Sequence, residues 1–255
     1  MQHITVSLLD YPSNPAALAS LACNITQKPV SDAEELIERY TKYTKKPLVK
    51  AIDMCINAEH NTPLELNNYV IAITGASRRF LAQIRTYRVG ITFVSGSLQY
   101  QNVEGSAKFV VPYNIAEKGP GIVSKYLQAC EDSLDVYKHL INKCGVGHDE
   151  AAYALPQSLR NTLLISTSAR ELRHILAQRL CRRNTEETRY VCTLLLMALM
   201  DTPDAELMFK NVGPACVTGK CDQGKMCCGK PFNGPIDPMS TLLTDWPLYR
   251  RGDKQ

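Results

Sequence analysis

The chain has 255 residues, 45% of them hydrophobic and 21% charged, and its formal net charge is +4. This length allows one large core or two small ones, and the composition is typical of a soluble globular protein. The small positive charge does not require nucleic acid or a membrane as a partner, although it is compatible with anionic small ligands. We therefore expect neither a nucleic-acid nor a membrane partner.

The first residues lack a basic leader and a long apolar core, so the sequence does not predict a signal peptide. The most apolar run, residues 191–200, is about half the ~20 residues that span a bilayer. Six of the ten cysteines are scattered, mostly at apolar helix positions, and we expect them to be reduced core thiols. A cytoplasmic location follows as the default expectation.

The first predicted element in chain order is a strand over residues 3–10, where apolar and polar side chains alternate. Ser31 and Glu34 have the spacing of a capping box, which predicts a helix that ends near residue 45. A second helix is predicted over residues 47–58, where a proline restarts the helical pattern.

A β-prone run over residues 69–74 predicts the next strand, and a helix is predicted over residues 77–88 with Ser77 at its start. Residues 89–105 contain many glycines and serines, which indicates a functional loop rather than a regular element. A short strand is predicted over residues 108–111, where a proline ends it.

The second half of the chain is predicted to be mainly helical. Its one predicted strand covers residues 161–167. The predicted helices cover residues 122–144, 149–156, 168–181 and 184–201. Because helices outnumber strands and no internal repeat is visible, we expect an α+β fold in a single domain over residues 1–210, with an irregular cysteine-rich tail over residues 211–255.

The helix that begins near residue 169 carries an arginine in its apolar stripe. Leu172, Ile175, Leu176 and Arg179 follow the i, i+3, i+4, i+7 spacing of one helix face. A guanidinium group in this register needs an anion, a set of carbonyls, a buried glutamate partner or a route to solvent. On the same helix, residues 170 and 174 share a face that is either a binding surface or a solvated flank.

Two further segments could contact a ligand. His60, Thr62 and Glu65 surround a proline turn and carry three polar side chains able to form hydrogen bonds. Residues 75–79 place a glycine before a helix start that carries Ser77, Arg78 and Arg79, where free N–H groups could bind an anion. The alternatives are an ordinary polar turn and an ordinary N-cap with solvated arginines.

The C-terminal tail contains four clustered cysteines, which could bind zinc in a tetrahedral site. The cluster has no CxxC pair, and free thiols or a redox pair are the alternatives to zinc. The four cysteines are Cys216, Cys221, Cys227 and Cys228. The chain contains no P-loop, no Gly-x-Ser-x-Gly motif, no dinucleotide-binding fingerprint and no cysteine in an evident nucleophile setting.

The order and spacing of several segments resemble one known family. That family has a His-x-Thr-x-x-Glu-His segment, a Ser-Arg helix that ends in Gln and Arg-His-Arg, a Ser-x-Arg-Tyr loop end, and a late Asn-Ala-Arg-Ser-Leu helix followed by an arginine. The matching segments here are residues 60–66, Ser77-Arg78 with Gln83, residues 86–88, residues 97–100, and residues 168–172 with His174 and Arg179. The chain thus resembles flavin-dependent thymidylate synthase, the ThyX family, over roughly residues 3–210.

The resemblance implies a central mixed or antiparallel sheet with several long helices, and a homotetramer whose sites lie between subunits. It implies FAD as cofactor and methylation of dUMP, or a related pyrimidine nucleotide, at C5. Methylenetetrahydrofolate would supply the carbon and NADPH would reduce the flavin. Because reduced flavin supplies the hydride, no enzyme nucleophile is needed, and the protein orients and polarises the reactants.

Residue by residue, the resemblance implies roles at the matching positions. The residues implied near FAD are His60, Thr62, Glu65, Arg88, Arg170 and His174. The residues implied at the nucleotide are Gln83, Ser97, Gln99 and Arg179. Arg179 would polarise the pyrimidine and Arg88 would border both flavin and nucleotide, so these two are the expected catalytic residues.

The chain also departs from the family pattern. Thr86 and Tyr87 replace the first two residues of the Arg-His-Arg triplet, and Gln99 replaces the arginine of the loop end. Leu66 replaces the histidine after the glutamate, and Ala152 stands where a further arginine is expected. Each lost charge-assisted contact could be worth ~1.5–3 kcal/mol, unless a neighbour such as the arginine at position 85 compensates. The alternative function is therefore a catalytically impaired paralogue that acts as a regulatory or partner subunit.

Overall fold

Four antiparallel strands form one sheet in the described part of the chain. The structure is a computed structural model that describes residues 3–250. The strand order is β1-β2-β4-β3. The strands are β1 (Thr5–Asp10), β2 (Asn68–Ser77), β3 (Ile91–Ser95) and β4 (Arg160–Ser168). The α+β expectation and the antiparallel central sheet are confirmed.

Helices account for most of the remaining regular structure. The α-helices are α1 (Pro15–Ile25), α2 (Ala33–Lys45), α3 (Val49–Asn57), α4 (Arg78–Ile84), α5 (Tyr113–Ala116), α6 (Pro120–Cys144), α7 (His148–Ala151), α8 (Ala169–Arg179), α9 (Glu186–Met200), α10 (Ala205–Met208) and α11 (Pro238–Asp245). Short 3-10 helices cover Thr62–Leu64, Ala152–Ala154, Ala215–Val217, Gly224–Met226 and Pro247–Arg250. None of the described helices has the length and apolar character that a bilayer-spanning segment needs.

The main core lies on one face of the sheet. Side chains alternate along β2, so that Tyr69, Ile71 and Ile73 are buried while their neighbours are partly exposed. On the adjacent strand β4, Leu163 and Ile165 point into the same core. Buried residues of α8 and α9 belong to this core as well, so the two helices are packed close to the central strands.

Two sequence predictions in the middle of the chain are wrong. Residues 89–105 do not form one loop, because β3 (Ile91–Ser95) pairs with β4. The glycines that suggested a loop flank this strand, and the strand is at the sheet edge with only one neighbour. The strand predicted over residues 108–111 is reduced to a single bridge between Phe109 and Leu159.

Helix α1 was missed by the sequence analysis. It begins at Pro15 and buries small residues, including Ala16, Ala19 and Ser20. Its alanine-rich sequence lacks the strong alternation of polar and apolar residues that marks other helices. The proline at the first helical position was the available signal.

The helix starts at α4 and α8 are confirmed. Ser77 accepts a hydrogen bond from the Phe80 N–H at 3.0 Å, and Ser168 accepts one from the Glu171 N–H at 3.3 Å. The cap of α2 is shifted by one residue from the prediction. Asp32, not Ser31, is the N-cap and accepts from the backbone N–H of the residue three positions later at 2.8 Å.

A bulge in β2 positions the start of α4. The strand register shifts between Thr74 and Ala76, and Gly75 between them has φ +75°. A Cβ atom at Gly75 would lie 2.6 Å from the backbone oxygen of His3, so the position requires glycine. The bulge therefore allows β2 to continue directly into the cap residue of α4.

The segment after residue 210 contains more regular structure than predicted. Besides 3-10 turns it includes α11, which packs against α9. Trp246 is 1% exposed, belongs to the main core and donates from Nε1 to Glu186 at 3.1 Å. An ion pair between Arg189 and Asp245 strengthens this contact. The division of the chain near residue 210 stays a prediction.

Candidate functional site

Arg179, the last residue of α8, is surrounded by neutral groups. Its Nη2 donates to the Thr86 hydroxyl at 3.0 Å and to the Gln83 carbonyl oxygen at 3.3 Å, and its Nη1 donates to Asn184 at 3.3 Å. Its buried Nε has no hydrogen-bond partner among the described residues. No ion pair neutralises Arg179 within the described part of the chain, so the buried glutamate pair that the sequence left open is not present there.

Tyr87 connects Arg179 to the polar face of α8. The guanidinium carbon of Arg179 lies 5.1 Å from the centroid of the Tyr87 ring. The Tyr87 hydroxyl donates to Gln178 at 2.8 Å, and its ring contacts His174 edge to face with centroids 5.7 Å apart. Burial raises the pKa of Tyr87, which keeps its hydroxyl protonated at neutral pH.

A second group of residues lines a cavity of about 530 Å³ between α4 and the segment after β3. We call it the arginine pocket, because Arg78 and Arg85 line it together with Ser97 and Gln99. Arg85 donates from Nη2 to the Ser95 hydroxyl at 2.5 Å. The pocket thus brings together two of the four residues that the resemblance implied at the nucleotide.

The arginine pocket has the electrostatics of an anion site. Burial, and then the nearby charge of Arg85, lower the pKa of Arg78. Neither arginine forms an ion pair with a carboxylate of the described residues. Two neighbouring guanidinium groups without a counter-charge are stabilised when an anion binds between them.

Arg78 was predicted as part of a helix start whose N–H groups and positive dipole could bind an anion, and the role of its side chain in this pocket was missed. Its spacing of seven residues from Arg85 was the available signal, since seven residues make two helical turns and place both side chains on one face. Arg79 is exposed and does not line the pocket.

The N–H groups at the start of α4 are already occupied by the protein. The N–H of Arg78 donates to the Leu159 oxygen at 3.0 Å, and that of Arg79 donates to the Gln157 oxygen at 3.1 Å. The Ser77 N–H donates to Glu187 at 2.7 Å. The ordinary N-cap, rather than an anion site made of backbone N–H groups, is therefore the arrangement found.

A third group of residues lines a cavity of about 760 Å³ beside α8, which we call the Asn61 pocket. Arg170 and His174 line it together with Asn61 and Lys210. The side-chain oxygen of Asn61 is buried and has no hydrogen-bond partner among the described residues. Glu59 and Glu171 line the pocket beside the basic side chains. An unpaired buried acceptor is satisfied by a ligand that carries hydroxyl or amine donors.

The residues around the proline turn are only partly brought to this pocket. Glu65 forms an ion pair with Arg170, and both side chains are about half exposed. His60 and Thr62 are exposed and are not among the residues that line the Asn61 pocket. The pairing of Glu65 with Arg170 fixes the position of a guanidinium group at the pocket edge.

Gln83 and Arg88 are placed differently from Ser97 and Gln99. The Gln83 side-chain oxygen accepts hydrogen bonds from Thr185 at 2.9 Å and from Thr188 at 2.5 Å. The Arg88 side chain is exposed, and no hydrogen bond to it is found within the described residues. Neither Gln83 nor Arg88 lines the arginine pocket.

The cysteine cluster forms one wall of a further cavity of about 680 Å³, which we call the cysteine pocket. Arg179 lines it, together with the four clustered cysteines. Among residues 3–250, no group of three or more potential ligands is close enough to hold a metal ion, so a zinc site of Cys216, Cys221, Cys227 and Cys228 is not present in this arrangement.

Within one chain, five of the ten residues predicted for FAD and the nucleotide thus line three cavities. The Asn61 pocket and the cysteine pocket are adjacent and share Glu59, Ala177 and Gly213 as lining residues. The arginine pocket shares no lining residue with either of them. Arg170 and Arg179 therefore line neighbouring cavities, whereas Ser97 and Gln99 lie apart from both.

Comparison with known proteins places the chain in a family. A family model described as thymidylate synthase complementing protein matches residues 7–202. The chain belongs to this family. The resemblance to ThyX proteins is confirmed, and so is the assignment to the thymidylate synthase class of enzymes.

Relatives with this enzyme name agree with the assignment to the ThyX family. The chain is 28% identical to a flavin-dependent thymidylate synthase of Geobacter sulfurreducens, over 88% of this chain and 94% of the relative. It is 25% identical to a flavin-dependent thymidylate synthase of Pyrococcus furiosus, over 86% of this chain and 90% of the relative.

The fold is similar to two solved structures. One is a UMP/dUMP methylase, PolB, of Streptomyces cacaoi bound with 5-Br dUMP, with a TM-score of 0.63 and 20% identity over 81% of this chain and 94% of PolB. The other is thymidylate synthase X of Helicobacter pylori with FAD and dUMP. Its TM-score is 0.55, with 18% identity over 82% of this chain and 98% of the Helicobacter pylori chain. At these identities the likeness establishes the shared fold.

Proposed function

We propose that this ThyX-family chain methylates dUMP, or a related pyrimidine nucleotide, at C5 in an FAD-dependent reaction. Methylenetetrahydrofolate supplies the carbon and NADPH reduces the flavin. The observation that carries the proposal is the arginine pocket, where Arg78 and Arg85 lie together without a carboxylate partner among the described residues. The nucleotide-bound relatives of the same fold support this assignment.

In this proposal the arginine pocket holds the phosphate of the nucleotide. Arg78 and Arg85 supply the positive charge, and Ser97 and Gln99 supply neutral hydrogen bonds. These two arginines then compensate for arginines of the family pattern that are Thr86, Gln99 and Ala152 here. Each charge-assisted hydrogen bond contributes ~1.5–3 kcal/mol, so two such contacts restore much of the lost affinity.

Arg179 polarises the pyrimidine ring in this proposal. Its neighbours Thr86, Gln83 and Asn184 offer neutral oxygens, so no carboxylate among them offsets the positive charge of the guanidinium group. This charge can therefore stabilise the negative charge that develops on the base. Gln83 accepts a hydrogen bond from Thr185 through its side chain and one from Arg179 through its backbone carbonyl oxygen. In this proposal it contacts the nucleotide from the same side as Arg179.

The Asn61 pocket and its rim are the proposed FAD site. The unpaired Asn61 oxygen and the basic side chains of the pocket fit a ligand with ribityl hydroxyls and a pyrophosphate. When bound here and reduced, FAD would supply the hydride for the methylation. Residues that hold it in this proposal are His60, Thr62, Glu65, Arg88, Arg170 and His174.

We propose a homotetramer, and the separation of the cavities supports the part of this proposal in which neighbouring copies complete each site. The arginine pocket shares no lining residue with the Asn61 pocket or with the cysteine pocket that Arg179 lines, yet the phosphate, the pyrimidine and the flavin must meet at one site. A second copy that supplies the arginine pocket beside the other two would meet this requirement. In this proposal residues 1–210 carry most of the FAD and nucleotide sites, Gly213 of the following segment lines the Asn61 pocket, and the location is the cytoplasm.

The proposal is tested by titrating purified protein with FAD and dUMP, with binding measured by calorimetry. The variants Arg78→Gln and Arg85→Gln are expected to weaken dUMP binding at least tenfold and to leave uridine binding unchanged, because uridine has no phosphate. Arg79→Gln, which changes an exposed neighbour, is the matched control. Protein that neither contains nor binds FAD would contradict the flavin-dependent reaction.

A turnover assay separates the main proposal from the impaired paralogue. The replacements at Thr86 and Tyr87 favour a partner subunit without activity of its own. Such a subunit would bind FAD and dUMP but form no methylated product until mixed with an active relative. Product formed by the isolated protein excludes that alternative.

A further inference from the structure

Cys221 and Cys227 lie at the two ends of one tight turn in the C-terminal segment. The 3-10 helix Gly224–Met226 separates them. The N–H of Met226 donates to the Gln223 oxygen at 2.9 Å, and the N–H of Cys227 donates to the Gly224 oxygen at 3.1 Å. This turn folds the chain back so that both thiols line the same cysteine pocket.

The two thiols have different surroundings. Cys227 is exposed, and its sulfur accepts a hydrogen bond from the Gly229 N–H at 3.4 Å, which favours the thiolate. Cys221 is partly buried beside it. An exposed, stabilised thiolate next to a less accessible thiol is the arrangement of an attacking and a resolving cysteine.

The walls of the cysteine pocket are basic. Arg182 and Arg183 line it, and neither forms an ion pair with a carboxylate of the described residues. The Arg182 Cζ atom lies 4.5 Å from the centroid of the Phe232 ring, and its Nη1 donates to the Lys230 backbone oxygen at 2.9 Å. These two contacts hold the guanidinium group in place. Such a wall attracts an anionic reagent and stabilises the thiolate.

We propose that Cys227 and Cys221 form a reversible dithiol–disulfide site that reacts with anionic low-molecular-weight disulfides, a class that includes oxidised glutathione. The Cys227 thiolate attacks one sulfur of the small disulfide, forms a mixed disulfide and releases one small thiolate. The Cys221 thiolate then attacks the Cys227 sulfur and releases the second. Two protein thiols are oxidised, and the small disulfide is reduced to two thiols.

The site is independent of the methylation reaction, so it is tested on the full chain without substrate. The protein is incubated with oxidised glutathione, free thiols are blocked by alkylation, and peptides are identified by mass spectrometry. We expect a peptide in which residues 221 and 227 are linked. Cys221→Ser should accumulate a glutathione adduct on Cys227, and Cys227→Ser should form neither product.

Cys144→Ser is the control, because Cys144 is exposed at the end of α6 and far from the turn in sequence. It should leave the rate of the linkage unchanged. A neutral disulfide, 2-hydroxyethyl disulfide, should react more slowly than oxidised glutathione. The double variant Arg182→Gln, Arg183→Gln should reduce this difference at least threefold, with folding checked by thermal unfolding.

Several results would overturn the proposal. One is faster reaction at Cys144 or Cys228 than at Cys227. Another is a disulfide that joins a different pair of cysteines. A third is one equivalent of zinc bound by the tail in the purified protein, because zinc-bound thiolates would be the explanation for the cluster instead.

Discussion

The ring of Tyr87 lies beneath the guanidinium group of Arg179, with the Arg179 Cζ atom 5.1 Å from the ring centroid. Tyr87 stands where the ThyX pattern has a histidine, and the adjacent Thr86, which replaces an arginine, accepts a hydrogen bond from Arg179. Thr86 and Tyr87, which replace the family's arginine and histidine, therefore both contact Arg179, which the chain retains from the family pattern. They surround its guanidinium group with neutral groups instead of adding a second positive charge.

Tyr87 is expected to stabilise the fold mainly through its ring. Tyr87→Phe keeps the ring and loses the hydrogen bond to Gln178, so it should lower the free energy of unfolding by about 1 kcal/mol. Tyr87→Ala removes a buried ring and should cost about 3–5 kcal/mol. Urea denaturation measures both, and equal losses for the two variants would contradict this account.

Arg179 is expected to act on turnover more than on cofactor binding. Arg179→Gln should lower kcat/KM by about 10²–10³, because a charged donor to the reacting base is lost. FAD absorbance should be retained, since Arg179 does not line the Asn61 pocket. Arg179→Lys restores the charge but not the planar fork, so it should recover only part of the rate. Unchanged kcat/KM in the glutamine variant would remove Arg179 from the site.

Trp246 should make the C-terminal segment an integral part of the fold. Trp246→Ala empties a fully buried site and breaks the hydrogen bond to Glu186, so it should destabilise the protein by about 3–5 kcal/mol. Met239→Ala, at a position 53% exposed on α11, is the control and should have little effect. Thermal unfolding of the two variants checks the prediction, and similar midpoints would show that the segment contributes little.

Glu35 should make a pH-dependent contribution to stability. A hydrogen bond from the Ser31 N–H, and then the neighbouring Arg39, hold the pKa of Glu35 below its ordinary value of 4.5. Because the folded-state pKa is the lower one, this stabilisation is present above pH 4.5 and is lost as the pH falls through the folded-state pKa.

The measurement is the free energy of unfolding against pH for the wild type and Glu35→Gln. The difference between them should be present at pH 7 and should shrink below the ordinary pKa of a glutamate. Glu38→Gln, at an exposed position of the same helix, is the control. A difference between wild type and Glu35→Gln that does not change with pH would be inconsistent with this linkage.

Local signals predicted a large part of the fold. The serines at positions 77 and 168 were predicted as helix starts and are N-caps, because capping depends on side chains within three residues. Gly145 ends α6 in a left-handed conformation, which only the local backbone decides. The order of short motifs along the chain was enough to identify the family, because motif order is read directly from the sequence and does not depend on which residues are in contact.

Long-range pairing could not be predicted in the same way. Strand β3 is weak in sequence because glycines flank it, and it forms because β4 offers an unpaired edge. Docking of Trp246 depends on a carboxylate 60 residues earlier in the chain. Contacts of this kind are decided by the packing of distant elements, which leave no local pattern.

The sequence by itself determined the caps at Ser77 and Ser168, the α+β class and the order of the charged residues along the chain. Only the tertiary structure decided which of those charges share a cavity. Arg78 and Arg85 lie close to Ser97 and Gln99 because the edge strand brings the following segment back to α4. Charge and capping are local properties of the chain, whereas a binding cavity is formed by residues that the fold brings together from distant segments.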